Sequence, residues 1–405
     1  MKMWASIRKV AIHAILALTV AAGPALADKK YGPGVTDTEI KIGQTMPYSG
    51  ALSVYGQIGR TQLAYFAKIN AEGGINGRKI KLISLDDGYS PPKALEQARG
   101  LVEQDEVLLV FNSVGTATNI VVRNYLNAKQ VPHLFVAGGD AAWGDYKHYP
   151  WTMGWGGSHQ MEGRLYAEHI LANRPNAKIA ILALNDDYGR DYVKGLKDAL
   201  GERASSMIVA EQTYESSDPT VDSQIVTLKA SGADTYFGAA LGKHASQAYR
   251  KMYEIGWRPQ VYIAVAGTSI RGTLKPAGLH TAVGFITAYY GKSPDILITR
   301  NEPAMKDYFA WAKQWFPEGD AEDGIVNYGY QVAQALEYVL RQCGNDLTRA
   351  NVMRVANHMD HVVLPMLYPG ITATTSPTDY FPLKQFQMFQ FNGENWVPFG
   401  PIRGR

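Results

Sequence analysis

The chain has 405 residues, 46% of them hydrophobic, with 40 basic against 37 acidic side chains. That near balance, with no basic run, excludes a polyanion such as nucleic acid as partner. A single cysteine, Cys343, excludes an internal disulfide, and the length suffices for two domains with cores of their own.

The first 27 residues predict a cleaved secretory signal. Lys2, Arg8 and Lys9 form a basic start, 10–20 is mostly apolar, and small residues stand at Ala25 and Ala27. The apolar core is shorter than the roughly 20 residues of a membrane span. This leader holds three bases and no acid, so the mature chain is formally neutral. An exported chain without disulfides fits a bacterial periplasm.

Beyond a polar entry segment, the alternation at 39–45 predicts a strand. Ile58, Leu63, Phe66 and Ile69 share one face of a helix over 58–72, which the glycines of "GGINGR" stop. A second strand covers 79–85, and Pro91 and Pro92 open the next helix. Then come a strand at 107–111, a helix at 119–129 and a strand at 131–136. After a break at 149–158 the rhythm restarts, with strands at 178–184, 207–212, 235–238 and 260–265. Helices at 189–200, 221–230 and 243–255 alternate with them. Two more helices cover 303–315 and 327–342, and the tail alternates around "NGEN", a hairpin signal. Strands alternating with helices imply parallel sheets with right-handed crossovers. Two such runs imply an α/β protein of two doubly wound lobes.

Open parallel sheets bind ligands beyond the carboxyl ends of their strands. The stretch "SVGTATN", 113–119, lies at such an end. Gly115 permits close backbone approach, the first-turn amides of the next helix lack intrahelical partners, and Ser113, Thr116 and Thr118 add hydroxyls. The set suits a carboxylate; the same residue types also make an ordinary helix cap. Gly138-Gly139-Asp140, the turn 185–189 and the loop 266–269 hold the same topological position.

The segments "EIKIGQTMPYSGALSVYGQIGR", "INAEGGINGRKIKLISLDDGYSPPKAL", "FNSVGTATN", "VPHLFVAGGD" and "IAILALNDDYGRDYVKGL" resemble the periplasmic substrate-binding proteins of branched-chain amino acid ABC transporters. The resemblance runs in order from about residue 39 to the end. It implies the type I periplasmic-binding-protein (Venus-flytrap) fold, two lobes joined by a three-strand hinge, with crossings near 151–155, 285–289 and 364–374. Lobe one would be 38–155 plus 290–364, and lobe two 156–289 plus 365–405. It also implies a periplasmic monomer that delivers its ligand to a membrane permease with separate ATPase subunits. The chain itself has no phosphate-binding loop, since "ALGKH" lacks the upstream glycine and the Ser/Thr.

Carried over residue by residue, the resemblance places the ligand against Tyr55, Gly115, Thr116, Gly138, Asp140 and Tyr188; the hydroxyl of Ser113 in the same loop and Ala266, at the family's acid position, complete the expected site. Two departures stand out. Asp140 falls where a hydroxyl is usual. Ala266 falls where the amino-acid binders carry an acid for the ligand ammonium, and a buried ammonium without a carboxylate costs several kcal/mol. Aromatics are dense near the strand ends: Tyr48, Tyr55, Trp143, Trp155, Tyr188, Tyr289 and Tyr290. Flat walls suit flat ligands. The reading therefore leans to an aromatic or other small organic acid. A branched-chain amino acid, an amide or urea is the alternative within the family, and a ligand-sensing module for a membrane receptor is the alternative outside it.

No catalytic residue, metal site or cofactor is expected. The pairs Asp86-Asp87 and Asp186-Asp187 read as turn and helix caps, because neighbours on a strand point apart. There is no H-E-x-x-H and no G-x-S-x-G. His358 and His361 have no third ligand nearby.

Overall fold

The computed structural model describes residues 29–404; the expected signal, 1–27, lies outside them. Two sheets organise the chain. The first is all parallel, in the order Lys79–Asp86, Glu39–Met46, Leu109–Phe111, His133–Val136, Thr152–Gly154. The second runs Trp396–Gly404, Gln385–Phe391, Ile286–Tyr289, Gln260–Ile263, Thr235–Ala239, Ile179–Leu184, Ile208–Tyr214. Its last five members are parallel, and the hairpin Gln385–Phe391 with Trp396–Gly404 adds on antiparallel. A third ladder is only two residues deep: Lys30–Tyr31 pairs in parallel with Asp346–Leu347.

Burial follows strand position. Ile179–Leu184 reads IAILAL and is buried at every residue, as a parallel strand covered on both faces requires. Its neighbour Ile208–Tyr214 is the sheet edge and has every second residue exposed up to its last. The helix Gly56–Ala71 packs on Gly324–Cys343, so part of the carboxyl third completes the first lobe. In the second lobe, His159–Asn173 lies against Asp187–Leu200. A methyl group at Gly163 would stand 2.7 Å from Tyr192 O, so only glycine lets these two helices approach.

The sequence pattern misses the helices His159–Asn173 and Arg349–Ala356, whose polar residues blur the apolar stripe. The strand expected over 260–265 ends at Ile263. Val265 turns away because its N–H is drawn to Glu162 Oε1, 2.8 Å off. The chain passes from the first sheet to the second after Thr152–Gly154 and back after Ile286–Tyr289. Further on, Thr375 Oγ1 donates to Ala356 O and Tyr380 OH to Pro150 O, and the chain joins the second sheet at Gln385. Among the described residues no helix is long and apolar enough to cross a membrane.

Candidate functional site

Where the carboxyl ends of the two sheets face each other, the lobes enclose a cavity of about 190 Å³. They are shut upon it. Tyr55 OH donates to Ala266 O (2.9 Å) and accepts from Gly242 N (3.3 Å), and Tyr89 OH donates to Asp186 Oδ2 (3.1 Å). Each contact joins a first-lobe residue to a second-lobe one.

Gly115 and Thr116 form one wall. Gly115 has φ +108°, outside the range of ordinary L residues, and it precedes the helix Thr116–Ala128. No side chain caps that helix. Thr118 Oγ1 bonds backwards to Val114 O (2.9 Å). The first-turn amides are thus left to whatever fills the cavity. Thr116 Oγ1, on a side chain 1% exposed, has no hydrogen-bond partner, and neither has the hydroxyl of Tyr188, 5% exposed. Both residues line the cavity. A buried hydroxyl left unpaired costs about 1–3 kcal/mol, so two of them facing one space mark where an acceptor belongs.

Of the eight residues singled out from the sequence, Tyr55, Gly115, Thr116, Gly138, Tyr188 and Ala266 lie on the cavity wall. Ser113 and Asp140 lie off it. Ser113 Oγ accepts from Thr45 N (3.0 Å) and so ties two strand ends together. Asp140 Oδ1 accepts from Ala142 N (2.7 Å) and caps the short turn Ala141–Gly144. Among the aromatics, Tyr289 and Tyr290 line the cavity, whereas Tyr48, Trp143 and Trp155 do not. Trp155 packs edge-on against Phe135, and Trp143 lies beside the Arg123 guanidinium. Asp86, Asp87 and Asp186 each accept backbone N–H groups in turns or caps.

Two acids on the wall escaped the sequence reading. Glu162, 2% exposed, sits on His159–Asn173. Its Oε1 accepts from Val265 N and lies 2.5 Å from Tyr166 OH, and its Oε2 accepts from Tyr192 OH at 2.5 Å. Tyr166 OH also lies 2.9 Å from Ile263 O, but it has one proton to give. A proton on Glu162 satisfies both contacts, in line with burial pushing this carboxyl up to about 7. Asp295 follows the second passage between lobes. Its Oδ2 accepts from Ile270 N at 3.2 Å, and burial pushes it, too, up to about 7. The one sequence signal was Glu162 four residues before Tyr166, on the same helix face; Asp295 sits in a loop and gave none. Among the described residues no Lys or Arg lines the cavity.

His159, on the cavity wall, and Asp140 and Asp191, off it, bring their ligand-type atoms within 4.8 Å of one another, all buried. His159 Nε2 accepts from Gly139 N at 2.7 Å, and burial holds the imidazole neutral, with its pKa down at about 3. The ring proton therefore sits on Nδ1, 3.8 Å from Asp191 Oδ2, and the imidazole has no lone pair left for a cation. The cluster instead holds carboxylates of both lobes close together: Asp191 Oδ2 accepts from Ala141 N at 2.9 Å. Desolvation, then Asp191, raises Asp140 to about 7.

Asp140, Glu162 and Asp295 thus bind protons more tightly folded than unfolded. Each stabilises the fold fully below its ordinary carboxylate value, and that contribution drains away as pH rises to about 7. The expected result is a melting temperature several degrees higher at pH 5 than at pH 8, with part of the slope removed by Asp140→Asn. A flat melting profile over that range would contradict the burial of these acids.

Comparison with known proteins fits this geometry. The family model described as periplasmic binding protein matches residues 39–394. An "Amino acid binding protein" of Pseudomonas aeruginosa is 25% identical over 77% of this chain and 81% of its own length. Among solved structures, a Thermus thermophilus branched-chain amino acid ABC transporter protein with bound valine superposes with a TM-score of 0.82, at 14% identity, covering 92% of this chain and 98% of that one. A Rhodopseudomonas palustris solute-binding protein of an ABC transporter, in complex with 3,4-dihydroxybenzoic acid, gives a TM-score of 0.74 at 18% identity, covering 91% and 98%. With its family model spanning both lobes and the cleft between them, the chain belongs to the periplasmic binding proteins.

Proposed function

We propose that this protein captures a small carboxylate-bearing ligand between its lobes in the periplasm and delivers it to the permease of an ABC importer. The observation that carries the reading is the pair of unpartnered buried hydroxyls, Thr116 Oγ1 and Tyr188 OH, on one cavity beside an uncapped helix start. Donors of this kind, with no charged base beside them, hold a carboxylate by hydrogen bonds and partial charge. The size of the space limits the guest. An apolar cavity of about 150 Å³ holds benzene, so about 190 Å³ takes one ring with its substituents or one amino acid, not a long acyl chain.

The tyrosines of the wall favour an aromatic acid. One observation favours an amino acid instead: the wall supplies acids, Glu162 and Asp295, that the sequence reading of Ala266 had not placed there. The solved neighbours span both classes, since one holds valine and another 3,4-dihydroxybenzoic acid.

A thermal-shift screen of the mature protein against benzoates, hydroxybenzoates, leucine, valine and phenylalanine tests the proposal, because a ligand bound only by the folded state raises its melting temperature. For the ligand found, Thr116→Val and Tyr188→Phe are each expected to weaken binding about fivefold to twentyfold, the worth of one buried hydrogen bond, with the fold intact. No stabilisation by any carboxylate, or full affinity in both variants, would reject this site.

A further inference from the structure

Asp295 is more than nine-tenths buried, lines the cavity, and has one oxygen that no protein donor reaches. Nor does it have an ion-pair partner. The nearest guanidinium groups are engaged elsewhere: Arg300 is bidentate on Glu322, and Arg271 faces Asp320 at 3.6 Å. Glu162, the other acid of the wall, has both oxygens occupied by Tyr166, Tyr192 and Val265. Asp295 is therefore the acid with capacity to spare. A buried carboxylate left in that state is destabilising, and its position accounts for it.

Three contacts fix that position. Ile270 N donates to Asp295 Oδ2, Trp396 N donates to Asp295 O at 2.8 Å, and Trp396 Nε1 donates to Thr268 O at 3.1 Å. The carboxylate is thereby held beside the segment 266–270, in the corner of the cavity where Ala266 brings no acid of its own. Ala266 meets the other lobe through its carbonyl, which accepts from Tyr55 OH.

We infer that Asp295 selects the ligand: resting on the carboxylate site proposed above, the guest must also carry a hydrogen-bond donor, an ammonium or a hydroxyl, which Asp295 Oδ1 accepts. The cavity then offers an acid at Asp295 as well as donors at Thr116 and Tyr188, and a guest with a carboxylate alone leaves the acid uncompensated.

The test is calorimetric titration of the mature protein at pH 8, where Asp295 is mostly ionised, with benzoate, 3,4-dihydroxybenzoate, 3,4-dimethoxybenzoate, phenylalanine and leucine. The donor-bearing probes of one of the two classes are expected to bind at least tenfold more tightly than benzoate, and the dimethoxy compound no better than benzoate. Preference for the dihydroxy acid identifies a hydroxyl as the donor, preference for the amino acids an ammonium. Asp295→Asn should narrow the preference at least fivefold. Should that variant fail to fold, the dihydroxy-to-dimethoxy and amino-acid-to-benzoate ratios of the unaltered protein decide alone. Equal affinity for benzoate and every donor-bearing probe, or a preference untouched by Asp295→Asn, overturns this inference while leaving the carboxylate site standing. If no carboxylate binds at all, the site itself is wrong and the inference goes with it.

Discussion

Gly115→Ala is expected to lower ligand affinity by about 100-fold or more while leaving a folded protein. Two effects act together. At φ +108° a side chain is strained by roughly 1–3 kcal/mol. Its methyl group would also stand 2.5 Å from Tyr89 Cε2 and 2.7 Å from Thr118 Oγ1, an overpacking of about 1–3 kcal/mol. The clash matters because of what Tyr89 does: its hydroxyl reaches Asp186 across the cleft. Pushing the ring aside opens that clasp and at the same time disturbs the uncapped helix start. Calorimetric titration with the ligand from the screen measures the loss, and circular dichroism checks the fold. Wild-type affinity in this variant would show that the loop is a mere turn.

The second large effect falls on stability. Glu162→Ala removes the acceptor of Tyr192 OH and of Val265 N and a partner of Tyr166 OH, all buried. Stranding buried donors costs about 1–3 kcal/mol each, so the variant should lose about 3–5 kcal/mol of unfolding free energy. Glu162→Gln should lose far less. The amide has the shape of the protonated acid, the form that burial favours by pushing this carboxyl up to about 7. Urea melts of the two variants separate these outcomes. Equal losses would mean that the network needs the negative charge and not the shape.

The sequence reading went furthest where a periodic pattern coincided with a single physical cause. Strands such as Ile179–Leu184 are uninterrupted apolar runs, because both faces are covered, and the loops after them stand at the sheet ends by topology alone. The six wall residues it named sit in such loops or in matched motifs beside them. Which way a small polar residue turns is a different matter. Ser113 and Thr116 are both small hydroxyls in one loop, yet Ser113 is spent on the Thr45 amide and Thr116 is free. Only the pairing of neighbouring strands decides that. Asp140 reads as a loop acid facing a ligand and is instead a cap whose other neighbour, Asp191, comes from the opposite lobe. Trp143 and Trp155 match the aromatic pattern but fill the core. Asp295 was the least legible, since nothing local distinguishes a loop aspartate held by contacts from Ile270 and Trp396 from one in water.

The smallest ladder has the widest reach. Lys30–Tyr31 lie at the very start of the described chain, yet their partner strand is Asp346–Leu347, and Arg349 just beyond it donates to the carbonyls of Val107 and Leu108. The second sheet, likewise, waits for Gln385–Phe391. Neither half of the molecule is therefore built from one continuous segment. Pairings so distant along the backbone are slow to form, so each lobe is expected to gain its sheet late in folding, after its local helices.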